Sequence, residues 1–318
     1  MRDKTIPIFF AIDNGFAPFL SVALGSAIHN CSPERHYKAI ILHQDISEKN
    51  MKKLSKLARN NFEIEFVPMC EGLEHITDRM SNRMRFNFFT LTIYFRLFIP
   101  AMFPQYDKGI YIDSDVVVLG DLAQLFDTDI GDNYIGACAD HSAYDIPVFA
   151  KYMENAVGVS PYEYINSGVL LMNLKKLREA EIDKHFLYLL NTYHFDSVAP
   201  DQDYINALCY GKIHYLPAHW DAMPNDRMPE IEDAKLVHYN LFSKPWCYDG
   251  IQYEEHFWKY ASESMYYKEI TEFKSNYSDD KKSSDKENLH AMLKKAYDIC
   301  ISDITFKKMF ESDVKIRL

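Results

Sequence analysis

The feature that most limits what this chain can become is an alternation, through its first two-thirds, of short apolar runs with stretches of helical spacing. Residues 6–12 read as a strand, and Phe19, Leu20, Val22, Ala23, Leu24, Ala27 and Ile28 then fall at helical spacing. Residues 37–43 form a second strand, and 63–67 a third. Between them Ser47, Glu48, Met51, Leu54, Leu57 and Ala58 read as a capped amphipathic helix. Strand–helix–strand units of this kind predict an α/β fold, a mixed but mostly parallel sheet flanked by helices. Residues 91–99 continue as a helix expected to stop at Pro100. Further strands follow at 109–112, 116–119, 135–139 and 168–172, with an apolar strand at 234–237. In open sheets ligands bind beyond the carboxyl ends of strands, where Asp13 and Asp113 stand.

Composition narrows the function. With 47% hydrophobic and 25% charged residues the chain is neither disordered nor fibrous. A net charge of −11 leaves no basic excess to neutralise a phosphate polymer, which excludes a nucleic-acid partner. No apolar run of about 18 residues exists to span a bilayer. Residues 6–12 are too short for a signal peptide, so the expected location is cytoplasmic. The cysteines, Cys31, Cys70, Cys138, Cys209, Cys247 and Cys300, form no C-x-x-C pair and read as reduced thiols rather than a zinc site. The polar stretch 275–284 reads as a linker, dividing a main domain at 1–274 from a helical segment at 275–318. In that segment Leu289, Met292, Leu293 and Tyr297 recur at helical spacing, and basic residues outnumber acidic ones from Lys281 onward. Two readings stay open: a solvated helix packed on the main domain, or a weak peripheral contact with the inner face of the membrane.

Asp113-Ser114-Asp115 is the first chemical candidate. Two carboxylates at i and i+2, where a strand breaks into a turn, can share one hard divalent cation that also takes diphosphate oxygens. As a string D-x-D says little, because Asp127/Asp129 and Asp201/Asp203 match it too. Context separates them. Only the first lies between strongly apolar runs, Gly-Ile-Tyr-Ile before and Val-Val-Val-Leu after, so its carboxylates must face a cleft or a cation. Asp127-Thr128-Asp129 sits in a polar stretch and reads as a cap or turn. Residues 110–118 also fit the nucleophile motif of haloacid-dehalogenase-like phosphatases, but three strands precede them and no second acidic metal motif follows.

Taken in order, several segments resemble glycosyltransferase family 8, retaining transferases that include lipopolysaccharide galactosyl- and glucosyltransferases. They are Phe10-Ala11-Ile12-Asp13-Asn14, Tyr94-Phe95-Arg96-Leu97, Tyr111-Ile112-Asp113-Ser114-Asp115, Gly136-Ala137-Cys138-Ala139-Asp140, the run 165–173, Asp201-Gln202-Asp203, and His238 with Lys244-Pro245-Trp246. The resemblance implies a GT-A type fold that moves a hexose from a UDP-sugar to a saccharide acceptor. It further implies Mn²⁺, with Mg²⁺ as the alternative ion, on Asp113, Asp115 and His238. It places Ala11, Asp13, Asn14 and Phe16 at the uridine, and Arg96, Ser114 and Lys244 at the donor's phosphate and sugar oxygens. Asn166 and Asp201 would contact sugar hydroxyls, Gln202 would lie near the anomeric carbon, and Asp140 would face the acceptor. Same-face attack is favoured because an amide is a poor nucleophile, with Asp203 as the alternative nucleophile. The sequence departs from the family pattern at Gly15, where a ribose-contacting Asn is expected, and at Leu241, where a glycine is expected. A catalytically silent nucleotide-sugar-binding protein is the rival reading.

Overall fold

The computed structural model describes residues 5–69 and 91–318; Cys70 lies outside them. Among the described residues, seven strands form the main sheet in the order β3-β2-β1-β4-β7-β6-β8. These are β1 (Thr5–Ile12), β2 (His36–His43), β3 (Phe62–Pro68), β4 (Gly109–Ile112), β6 (Ile135–Ala139), β7 (Ile165–Met172) and β8 (Ile213–Tyr215). All neighbouring pairs are parallel except those of β7, which runs antiparallel to both β4 and β6. A separate ribbon pairs β5 (Val116–Val118) with β9 (Leu236–His238), joining Val116 to His238 in register.

Both faces of the sheet are covered, which explains why its central strands are continuous apolar runs. Phe9, Tyr111 and Leu170 pack into the core on one face, while Ile8, Phe10, Ile110, Ile112, Val169 and Leu171 enter the core on the other. The second core receives α1 (Ala17–Asn30), α9 (Glu254–Glu263) and α10 (Tyr267–Ser275). The first receives α3 (Phe95–Met102), α7 (Ile182–Tyr193) and α8 (Pro200–Cys209). The expected cap on α2 (Glu48–Ser55) is present, Ser47 Oγ accepting from Asn50 N–H at 3.3 Å. The five described cysteines are all free thiols.

Two expectations change. The third helix does not stop at Pro100: α3 carries on to Met102 with the proline inside it. Pro100 is buried, and Arg178 Nη1 donates to its carbonyl at 3.0 Å, so packing overrides the local cost of a proline. Nor is 275–284 a linker. Only Asn276, Tyr277 and Ser278 separate α10 from α11 (Asp279–Cys300), whose polar opening turns are helical and solvated. Ser278 caps α11, and Asp279 and Asp280 sit in its first turn, where the helix dipole favours negative charge. Met292, Ala296 and Ile299 bury one stripe of it in the first core. Beyond it lies α12 (Phe306–Glu311), whose Phe306 stacks on Phe195 at 4.1 Å; Leu318 N–H then donates to Leu208 O at 3.0 Å. The carboxy-terminal segment thus shares the main core.

Candidate active site

The site forms at the edge where β1 and β4 end. Because β7 runs the opposite way, its start, Asn166-Ser167-Gly168, arrives at that same edge, and Asp113 N–H donates to Gly168 O at 2.8 Å. The ribbon adds His238 beside Val116, and Tyr239 N–H donates to Asp115 O at 2.9 Å. His238 Nε2 lies 3.8 Å from Asp113 Oδ2 and 3.4 Å from Asp115 Oδ1. One ligand atom from each of the three residues falls within a 4.8 Å cluster, the only such group of metal-type donors among the described residues. Two carboxylates and an imidazole suit Mn²⁺ better than Mg²⁺. The backbone leaves room for this cluster because residue 168 is glycine: a Cβ there would lie 2.8 Å from His238 Nδ1 and 2.9 Å from Asp113 Oδ2, and closer still to His238 Cε1.

Opposite charges are packed tightly at this cluster. Burial alone would lower the His238 pKa, yet Asp115 and Asp221 raise it to about 10. Burial works against the Asp115 charge, but Lys244 and His238 hold its pKa well below the usual carboxylate range. Lys244 Nζ bonds Asp115 Oδ2 and the carbonyl of Tyr239, so the expected phosphate-binding ammonium stands beside the metal cluster. Leu241, where the family pattern has glycine, adopts the left-handed conformation that glycine favours, with φ of 50°, and packs against the first core. That conformation costs a leucine roughly 1–2 kcal/mol.

Arg96, expected at the donor's phosphate and sugar oxygens, is 5% exposed, and its guanidinium is bound within the protein. Nη2 donates to Asp113 Oδ1 at 2.9 Å; Nη1 meets Asp201 Oδ2 at 3.1 Å and Ser167 O at 2.6 Å; the plane stacks on Tyr111 at 4.2 Å. Only Nε is buried without a hydrogen-bond partner. Tyr111 Oη also donates to Asp113 Oδ1, at 2.8 Å.

The first turn of α8 supplies the rest. Gln202 Oε1 accepts from Ser167 N–H at 3.0 Å, and its amide donates to Asp140 Oδ2 at 2.9 Å. Asn166 donates to the same Asp140 oxygen at 3.2 Å and accepts from Gly168 N–H at 2.8 Å. Asp140, expected to face an acceptor, is 4% exposed and aligns these two amides. Asp203 departs furthest from expectation. It is fully buried, and its carboxylate accepts from Tyr152, Tyr164 and Ser197 hydroxyls and from Ala199 N–H. Burial raises its pKa, with those donors pulling the other way. A carboxylate with no exposed surface and four donors fixed on it is out of reach of a sugar in this arrangement, which favours a structural role over the nucleophile reading. Asp203→Asn should therefore lower stability by about 1–3 kcal/mol while the folded enzyme keeps its turnover; turnover per folded molecule, with folded fraction from circular dichroism, checks this.

Beyond the end of β1, Asp13 Oδ1 caps its own turn, accepting from Gly15 N–H at 2.8 Å and Phe16 N–H at 3.1 Å. Asn14 ties that turn to the start of α2, its Oδ1 accepting from Ser47 N–H at 2.9 Å and from Asn50 at 2.9 Å. Phe16 is 38% exposed beside Phe19, which stacks on Trp246 at 4.3 Å, leaving an open aromatic face. Ala11 is half-buried at the end of β1, and Ser114 is buried between the two carboxylates. Sequence reasoning missed Asp221, which contacts His238 Nδ1 at 3.1 Å, and Ser167, which touches Arg96, Asp201 and Gln202. Asp221 carried no signal, and Ser167, though inside the run 165–173, was not distinguished there from its neighbours.

The sequence model for Glycosyl transferase family 8 matches residues 7–250. The chain belongs to glycosyltransferase family 8. A putative glycosyltransferase of Haemophilus influenzae is 29% identical over 225 residues, spanning 70% of this chain and 65% of that one. The lipopolysaccharide 1,2-glucosyltransferase of Escherichia coli is 24% identical over 303 residues, covering 86% and 85%. Among solved structures, the galactosyltransferase LgtC in complex with donor and acceptor sugar analogs superposes with a TM-score of 0.69 at 28% identity, over 82% of this chain and 96% of that one. The bifunctional glycosyltransferase WbbM shares the fold, with a TM-score of 0.71 at 23% identity, over 85% of this chain and 52% of WbbM. The sheet flanked by helices is thus the GT-A type fold, shared with proteins named as glycosyltransferases, although the chain spans 65% of the Haemophilus relative and 52% of WbbM. No described helix is long and apolar enough to cross a membrane.

Proposed function

We propose that this family 8 enzyme moves glucose or galactose from a UDP-sugar to a saccharide hydroxyl, with retention at the anomeric carbon, in cell-surface or lipopolysaccharide-type glycan synthesis. The observation that carries the reading is the convergence of Asp113, Asp115 and His238 with Asn166, Asp201 and Gln202 at one sheet edge. The glucosyl and galactosyl names of the E. coli relative and of LgtC support the hexose. Asp113, Asp115 and His238 would hold Mn²⁺, which when bound neutralises charge on a departing diphosphate. Lys244, released from Asp115, would turn its ammonium to the same phosphates. Asp13 would accept from the uracil N–H, and the open face of Phe16 would stack on the base. Asn166 and Asp201 would orient sugar hydroxyls, aligned by Asp140 and Arg96.

With Asp203 shut away and Gln202 an amide, attack on the face from which the diphosphate leaves fits best. The acceptor oxygen bonds to the anomeric carbon as the carbon–phosphate oxygen bond breaks, and the departing oxygen takes the acceptor's proton. Gln202→Ala should then keep a measurable fraction of turnover, whereas total loss with intact UDP binding would argue for a covalent step. Calorimetric titration of UDP should show binding with Mn²⁺ that collapses in EDTA. Metal-independent binding would instead mark a silent nucleotide-sugar protein, and no binding at all would end the reading.

A weak peripheral membrane contact through the carboxy-terminal segment belongs to the same proposal. Tyr297, Ile301, Ile304 and Phe310 are exposed there, with Lys151 and Lys294 exposed alongside. The protein should co-float with anionic vesicles at low salt, and Ile301→Ser with Ile304→Ser should abolish this; flotation unchanged by that pair would refute the contact.

A further inference from the structure

We infer that Asp221 is the positioning residue of the metal cluster, fixing the His238 ring so that Nε2 presents its lone pair to the space shared with Asp113 and Asp115. The inference rests on the proposed metal site and adds a residue that neither the family motifs nor spacing singled out.

The ring is held from several sides. Its side chain is 4% exposed; Nδ1 lies 3.1 Å from Asp221 Oδ1, while Nε2, on the far side of the ring, faces Asp115 Oδ1 at 3.4 Å. The backbone sets this up. Ala222 N–H donates to Leu236 O at 2.9 Å and His238 N–H to Ala222 O at 2.8 Å, a parallel bridge that places residue 221 alongside β9. Gly168 lets the ring lie directly against β7.

A buried Asp–His contact could instead be mere scaffolding, and Asp203 shows what scaffolding looks like in this molecule. Both carboxylates are fully buried. Asp203 collects four donors from three loops and helices. The Asp221 carboxylate meets the imidazole through Oδ1, and its Oδ2 is buried with no hydrogen-bond partner. A fully buried carboxylate hydrogen-bonded to a ligand ring is placed to act on that ring. A carboxylate oxygen on Nδ1 accepts the ring proton there, so that Nε2 is the nitrogen turned to a cation held with Asp113 and Asp115. It also makes the imidazole a stronger donor to a cation. Asparagine could not do both. With its oxygen on Nδ1 it buries an unpartnered amide where Oδ2 stands, and with its amide on Nδ1 it drives the ring proton to Nε2, towards the metal.

The test titrates Mn²⁺ alone, followed by electron paramagnetic resonance, into the wild-type chain and Asp221→Asn. If the wild-type chain binds no Mn²⁺, the metal-site reading itself fails. Given wild-type binding, Asp221→Asn should bind Mn²⁺ roughly 10–100-fold more weakly. A purely structural Asp221 would lower the melting temperature and leave the affinity of the folded fraction unchanged, which would overturn the inference. Should the variant not fold, the wild-type protein decides. Long-range ¹⁵N–¹H correlation of the Mg²⁺-loaded chain should show His238 protonated at Nδ1, and protonation at Nε2 would overturn it.

Discussion

Gly168→Ala should give a protein that folds but binds Mn²⁺ more weakly by on the order of 100-fold or more, with turnover falling in step. The added methyl would stand 2.8 Å from His238 Nδ1 and 2.9 Å from Asp113 Oδ2. Neither neighbour can retreat cheaply. His238 is pinned by Asp221 and by its backbone pairing with β5, and Asp113 by Arg96 and Tyr111. Overpacking of this kind costs about 1–3 kcal/mol, so stability should fall modestly while the ligand geometry is lost. Mn²⁺ titration beside a thermal melt separates the two effects. Unchanged Mn²⁺ affinity in Gly168→Ala would show that His238 and Asp113 do not bind metal in the arrangement described.

Arg96→Met is expected to be the most destabilising change at the site. The guanidinium is buried and compensates Asp113 and Asp201 together while satisfying Ser167. Burial lowers its pKa, but the two carboxylates more than offset this and raise it above the ordinary arginine value. Removing one member of a buried charge cluster strands the others, typically at about 3–5 kcal/mol. For a chain of this size that corresponds to a melting temperature lower by roughly 5–10 °C. Arg96→Lys should recover little, because an ammonium cannot span Asp113, Asp201 and the Ser167 carbonyl as a planar fork does. A melting temperature unmoved by Arg96→Met would mean that the two carboxylates are solvated well enough to need no cation.

Different parts of the site were legible for different reasons. Asp113 and Asp115 stood out because carboxylates between apolar runs have few ways to be satisfied in a core. His238 was legible only through the ordered motifs, since an isolated histidine closing a strand is ordinarily unremarkable. Asp201, Gln202 and Asp203 were read through the ordered motifs, which set all three at the sugar. On α8 each residue turns about 100° from the last, so Asp201 and Gln202 meet Ser167 while Asp203 points to Tyr152 and Tyr164. Polarity alone misplaced the stretch 275–284, because a solvated helix face and a linker share one composition.

The sequence by itself determined the α/β class and, in Asp113 and Asp115, a pair of strand-end carboxylates facing out of the core. Those follow from local properties: hydrophobic period, capping and the cost of burying charge. Tertiary structure decided that β7 runs backwards, because an apolar strand carries no mark of its direction. That reversal delivers Asn166, Ser167 and Gly168 to the edge where Asp113 ends β4. Tertiary structure also chose Asp221 as the partner of His238, since the pairing of residue 222 with β9 joins chain segments whose sequences say nothing of each other.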